Sequence, residues 1–177
     1  MQSATSAAKK LFSGTQMMTG SSGLNCDADA TSDAGCGIRD SSTSSAGAGS
    51  NAIGGGVYAM SWTTSSISMY FFPRDAIPSD IAAGEPTESG WGTPTFQLTS
   101  DACDLSARFY DLQVVLNIDL CGTWAGAVWG SDMSYCGQDE TCADKTGYSS
   151  CSQYVQEKGS AFHEAYWEIN SIKVYEQ

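Results

Sequence analysis

Positive charge is scarce in this chain. Eight Lys and Arg stand against 20 Asp and Glu, and with a single His the net charge is −12. Nothing in such a surface replaces phosphate counterions, so nucleic acid is excluded as a partner, and anionic membrane surfaces with it. No run of 18 apolar residues occurs, so no membrane-spanning helix is expected. The first residues, MQSATSAAKKLFSG, lack the apolar core of a secretion signal. A tight CxxC knuckle is missing too. Cys136, Cys142 and Cys151 are separated by five and eight residues, and His163 lies twelve beyond the last of them, so neither a metal site nor a cofactor is expected.

What remains is rich in Gly (19), Ser, Thr and aromatic residues, with 41% hydrophobic and only 16% charged residues. That profile favours short strands and long turns over helices. At 177 residues the chain is long enough for one real core. Residues 1–20 carry weak signals and are expected to be frayed or packed opportunistically, and residues 21–177 to form a single domain. Seven cysteines imply an oxidising, extracellular setting. The odd total leaves at least one thiol free or paired outside the chain. The absent leader conflicts with that setting unless the chain is a processed or truncated product.

The most informative stretch is QVVLNIDLCGTW, residues 113–124. Val114, Leu116, Ile118 and Leu120 alternate with Asn117 and Asp119, the pattern of a half-buried antiparallel strand with a polar open face and an indole at its exit. Residues 24–50 are rich in Asp, Ser and Gly. Asp27, Asp29 and Asp33 lack the Gly and Glu that would complete a calcium loop, and read as Asx-turn residues in a ring closed by Cys26 and Cys36. Gly54-Gly55-Gly56 opens a strand over 57–63, a turn at 64–66 leads into a second over 67–72, and Pro73 ends it. Extended structure resumes at 96–98, and residues 104–111 include a helical turn. Ser150-x-x-Gln153 is a capping box, which predicts one helix over 151–158. A last strand over 166–175 changes phase at Asn170-Ser171, the mark of a bulge. Together these give an all-β sandwich with one short helix near the C-terminus.

The fragments FFPRDAIPSDIAAG, GWGTPTF, NIDLCGTWAG and SAFHEAYWEINSIKVYEQ, in that order, closely resemble the C-terminal half of fungal laminarinase-like enzymes of glycoside hydrolase family 16. GLNCDADATSDAGCG is similar to a cysteine loop in those enzymes, and the likeness runs from about Met18 to the terminus. The resemblance implies a concanavalin-like β-jelly roll, partial or rebuilt here, with β-1,3 or mixed β-1,3/1,4 glucan lying across its concave face. The family's retaining hydrolysis needs two carboxylates about 5 Å apart, carried on a Glu-x-Asp-x-x-Glu strand. None of Glu85, Glu88, Glu140, Glu157, Glu164, Glu168 and Glu176 has an Asp two residues on. The resemblance therefore implies a chain that begins past the active-site strand, with no catalytic residue of its own. Glu164 and Glu168, on one face of a strand, would stand about 13 Å apart, too far for either glycosidase geometry. It also implies an insertion between Cys136 and Cys151, with Cys142 the extra cysteine, and Cys26, Cys36, Cys103, Cys121, Cys136 and Cys151 as disulfide candidates.

Trp124 matches a family position that walls the glucan cleft, and an indole face is suited to stack on a sugar. Asn117 and Asp119 are placed to bond sugar hydroxyls. Trp91 and Arg74 complete the ligand-binding candidates, although Trp91 in its glycine-flanked turn also suits packing and Arg74 at a strand end also suits pairing with a loop Asp; His163 reads as structural. The function expected is a non-catalytic, lectin-like β-glucan-binding protein derived from such a hydrolase. The alternatives are a glucanase fragment active only with a complementing chain, or a self-assembling or protein-binding domain, a homodimer through an exposed sheet edge among them.

Overall fold

The computed structural model describes residues 13–16, 27, 29–31, 36–123, 125–132 and 139–176. They group into two compact units, residues 1–112 and 113–177.

The first unit is built on a three-stranded antiparallel sheet in the order β3-β4-β5, from Gly56–Trp62, Ser66–Pro73 and Phe96–Thr99. The β3–β4 register sets Ala59 against Tyr70 and Ser61 against Ser68, and β5 sets Gln97 against Ser68. The hairpin turn is closed by Thr63, whose hydroxyl accepts from the amides of Ser65 (3.2 Å) and Ser66 (3.0 Å). Gly56 cannot be replaced, because a Cβ there would lie 2.3 Å from the Phe72 carbonyl oxygen. A second, two-stranded sheet pairs β1 (Thr15–Gln16) with β2 (Ile38–Arg39). The amides of Ser13 and Gly14 bond the carbonyls of Pro94 (2.9 Å) and Thr95 (3.0 Å), so the described part of the N-terminal segment is packed. Asp27 makes the expected Asx turn with the Asp29 amide (3.1 Å); Asp33 lies outside the described residues.

The connection from β4 to β5 is partly regular. It holds the short helix α2 (Ser79–Ala83), ended by Gly84 in the left-handed region (φ 83°), and a 3-10 turn at Glu88–Gly90. A brief α1 (Gly47–Ala52) precedes β3. α3 (Leu105–Arg108) is the expected helical turn, capped by the Asp104 carboxylate on the Ala107 amide (3.1 Å).

The second unit departs from expectation at both of its strands. Neither residues 113–119 nor residues 165–176 are strand; among the described residues no ladder pairs them. The alternation is intact, but a strand needs an edge to bond to and an apolar face needs a cover. Val114, Val115, Ile172 and Val174 are accordingly exposed, Val174 to 84%. The bulge expected at Asn170-Ser171 falls with the strand. The expected helix is α5 (Cys151–Glu157), where the Ser150 hydroxyl accepts from the Gln153 amide at 3.3 Å. Only half of the capping box forms: the Gln153 side chain lies along the helix, its amide group donating to Glu157 (3.0 Å). A further helix, α4 (Cys142–Thr146), is capped by Thr141 on the Asp144 amide (3.0 Å) and ends at Gly147.

Cys121 and Cys151 form a disulfide with a Cα–Cα distance of 5.9 Å, tying residues 113–121 to α5. Closing a 30-residue separation contributes about 3–4 kcal/mol in the chain-entropy account. Cys36 is also disulfide-bonded. Cys103, a disulfide candidate from sequence, carries a free thiol, as does Cys142. Cys26 and Cys136 lie outside the described residues.

Candidate functional site

One face of the β3-β4-β5 sheet is polar and covered. Its centre is Glu88, brought down by the 3-10 turn. Oε2 accepts from the Ser61 hydroxyl at 2.5 Å and Oε1 from the Tyr70 hydroxyl at 2.7 Å. Ser68, fully buried beside them, accepts from the Gln97 amide group at 3.0 Å. Burial opposes charge on Glu88, but the hydrogen bonds from Ser61, Tyr70 and Ser68 outweigh it and hold the carboxyl below its usual range. Burial, reinforced by the neighbouring carboxylate, pushes the Tyr70 phenol up to about 12.

Trp91 caps this network. Its ring stands edge-on to Tyr70 (5.2 Å) and Phe72 (5.7 Å), and its indole N–H donates to Asp80 Oδ2 at 2.8 Å. Asp80 also accepts from the Thr87 amide at 2.7 Å, and chiefly through that bond its carboxyl is held below the usual range. Trp91 thus packs, as its glycine-flanked position suggests. Arg74 meets no Asp. Its guanidinium donates to the Gly54 carbonyl, because the Gly54-Gly55 turn delivers that oxygen to the strand end.

The opposite face of the same sheet is apolar and open over part of its area: Tyr58 is 60%, Met60 54% and Met69 46% exposed, while Ile67 at the turn end of that face is buried.

In the second unit Asn117 and Asp119 stand on an exposed segment, not on the open face of a strand. Asn117 donates to Asp119 Oδ1 at 3.0 Å, and both side chains are exposed. The Asn117 carbonyl accepts from the indole N–H of Trp167 at 3.0 Å, which joins residues 113–120 to the C-terminal segment. Trp167 remains 59% exposed. An indole held by its edge with an open face, beside an amide and a carboxylate, can stack on a sugar ring while bonding its hydroxyls. Trp124 lies outside the described residues. His163 bonds the Ser160 carbonyl (2.8 Å) and pairs with Glu164 (3.1 Å), both well exposed. Among the described residues no group of three His, Cys, Asp or Glu is placed to hold a metal. No helix among them is long and apolar enough to cross a membrane.

Sequence reasoning missed Glu88 and Trp167. Glu88 is 27 residues from Ser61, and no local spacing announces their contact. Trp167 is 50 residues from Asn117; the two aligned fragments that hold them were the only available signal.

Residues 1–175 match the family model described as the XgeA-like catalytic domain of glycoside hydrolase family 16. The chain belongs to glycoside hydrolase family 16. A probable endo-1,3(4)-β-glucanase of Aspergillus clavatus is 42% identical over 163 residues, which cover 92% of this chain and 24% of that protein. The endo-1,3(4)-β-glucanase of Arthroderma benhamiae is 36% identical over 157 residues, 86% of this chain and 32% of that one. Among solved structures, Laminarinase 16A from Phanerochaete chrysosporium, with β-glucans in both its donor and acceptor sites, superposes with a TM-score of 0.63 at 32% identity. That match covers 88% of this chain and 48% of the laminarinase. The family fold is the β-jelly roll, as the sequence fragments implied. This chain spans about a quarter of the length of the first of these curated relatives and about half of the laminarinase chain.

Proposed function

We propose that this chain is the C-terminal half of a β-glucan-active sandwich, one that carries a sugar-binding surface and relies on strands from outside residues 1–177. Those strands cover its apolar faces and carry the hydrolytic carboxylates. The reading is supported above all by one observation: apolar side chains at strand-like spacing stand open in a chain that matches half of a laminarinase. Val114, Leu116 and Ile169, still 70%, 50% and 45% exposed, each gain on the order of 1 kcal/mol when such a face is fully covered. Residues 21–177 then form part of one sandwich. Asn117, Asp119 and Trp167, with Trp124 beyond them, contact β-1,3 or mixed-linkage glucan. The disulfide supports an extracellular setting. On its own the chain binds glucan and does not cleave it, because no Glu here begins the Glu-x-Asp pattern.

The test is a calorimetric titration with laminarin oligosaccharides, with reducing ends assayed in the same tube. Heat without new reducing ends is expected. New reducing ends from the chain alone would overturn the assignment of the carboxylates to other strands. Absent heat, with mass rising with concentration, would favour self-assembly, the second reading, which rests on the open Tyr58–Met60–Met69 face.

A further inference from the structure

Residues 113–177 hold an open cleft of about 640 Å³, within the range of small-ligand sites, and none of Asn117, Asp119 and Trp167 lines it. Trp129, Tyr148 and Tyr154 line its aromatic side. Tyr154 lies 5.5 Å from Trp129 and 5.4 Å from Tyr148, ring centre to ring centre. The Trp129 indole N–H donates to the Tyr148 carbonyl at 2.7 Å, so the aromatic wall is fixed before anything binds. All three rings are half-buried, which leaves surface free for stacking.

The charge around this wall runs against the rest of the molecule. Lys145 and Lys158 line the cavity and, among the described residues, no carboxylate does, in a chain of net charge −12. They are two of the three Lys and Arg residues between positions 113 and 177. Lys158 Nζ stands 6.0 Å from the Tyr148 ring centre, and Lys145 closes the last turn of α4.

We propose that this cavity binds a saccharide bearing a carboxylate, a uronate. The apolar face of its ring stacks on the aromatic wall and its carboxylate pairs with Lys145 and Lys158. A neutral sugar can use only the wall; an inorganic anion can use only the lysines. Its lining shares no residue with Asn117, Asp119 and Trp167, and the proposal does not rest on the glucan reading.

The probe is glucuronic acid β-1,4-linked to glucose, titrated into the 177-residue chain at low salt, with cellobiose as its neutral counterpart. The uronate is expected to bind about tenfold tighter than cellobiose, equivalent to about 1.4 kcal/mol. In the K145Q/K158Q chain it should fall to the level of cellobiose. The free thiol of Cys142 also lines the cavity, so its alkylation, read by mass spectrometry, should slow several-fold at saturation while that of Cys103 does not. Equal affinity for cellobiose, an unchanged affinity in K145Q/K158Q, unslowed alkylation of Cys142, or displacement of the uronate by an equal concentration of inorganic phosphate would each overturn the proposal.

Discussion

The hairpin of residues 56–73 and the stretch 113–120 carry the same written signal, apolar residues alternating with small or polar ones, yet only the first is a strand. The hairpin brings its own partner within a few residues. It also gains a covering loop, so Tyr70 is only 6% exposed. Residues 113–120 have alternation without an edge to bond, and Leu116 stays 50% exposed. Alternation states which face a strand would bury; only a partner decides whether it does.

The largest break in this contrast should come from the disulfide, which holds the uncovered segment to α5. Cys121→Ala with Cys151→Ala should cost about 3–4 kcal/mol. Hydrogen exchange would register it as lost protection around α5, with the β3–β4 hairpin unchanged. Next comes the cover of the hairpin. Trp91→Ala removes the ring from Tyr70 and Phe72, and chemical unfolding should report a loss of about 2–4 kcal/mol, near the lower part of the range for core aromatics because the indole is only half-buried.

Glu88→Gln exchanges charge-assisted bonds for neutral ones and should cost about 1–3 kcal/mol at neutral pH. Its pH signature has a definite sign. Glu88, Asp80 and Asp104 are all held below their ordinary values when folded, so the unfolded chain binds more protons near pH 4. Stability from these groups is present above about pH 5 and drains away as pH falls through the folded values. Glu88→Gln should flatten part of that acid limb. Tyr70 acts in the opposite limb: its folded value of about 12 exceeds the unfolded 10.0, so its contribution holds below pH 10 and is lost as pH rises towards 12. Unfolding midpoints across pH would separate the two. The smallest effect should be on the open faces. Met60→Ser or Val114→Ser should shift the stability of the chain alone by within about 0.5 kcal/mol, because those side chains already face water.

Much of the first unit was legible because its determinants are local. Gly54-Gly55-Gly56 starts β3, Pro73 ends β4, Asp104 caps α3, and the Ser150 signal places α5 to within a residue. Helix α4 was legible as well and was overlooked: Thr141-x-x-Asp144 caps it and Gly147 stops it. The hydrogen bond from Asn117 to Asp119 was not legible, since the strand face on which spacing would set them does not form. What sequence could not supply was long-range placement. The Glu88 clamp depends on where an irregular loop lands, and the Trp167 contact on two segments 50 residues apart. Residues 113–120 and 166–175 differ from expectation for another reason: their spacing is that of strands, but among the described residues no strand pairs with them.

The most direct test of the central claim is hydrogen exchange at residues 113–120 and 166–175, alone and after co-expression with the N-terminal half of a laminarinase-like sandwich. The account predicts fast exchange alone, strong protection in the pair, and glucan hydrolysis only in the pair. Exchange that stays fast in the presence of that half, or protection already complete in the chain alone, would contradict it.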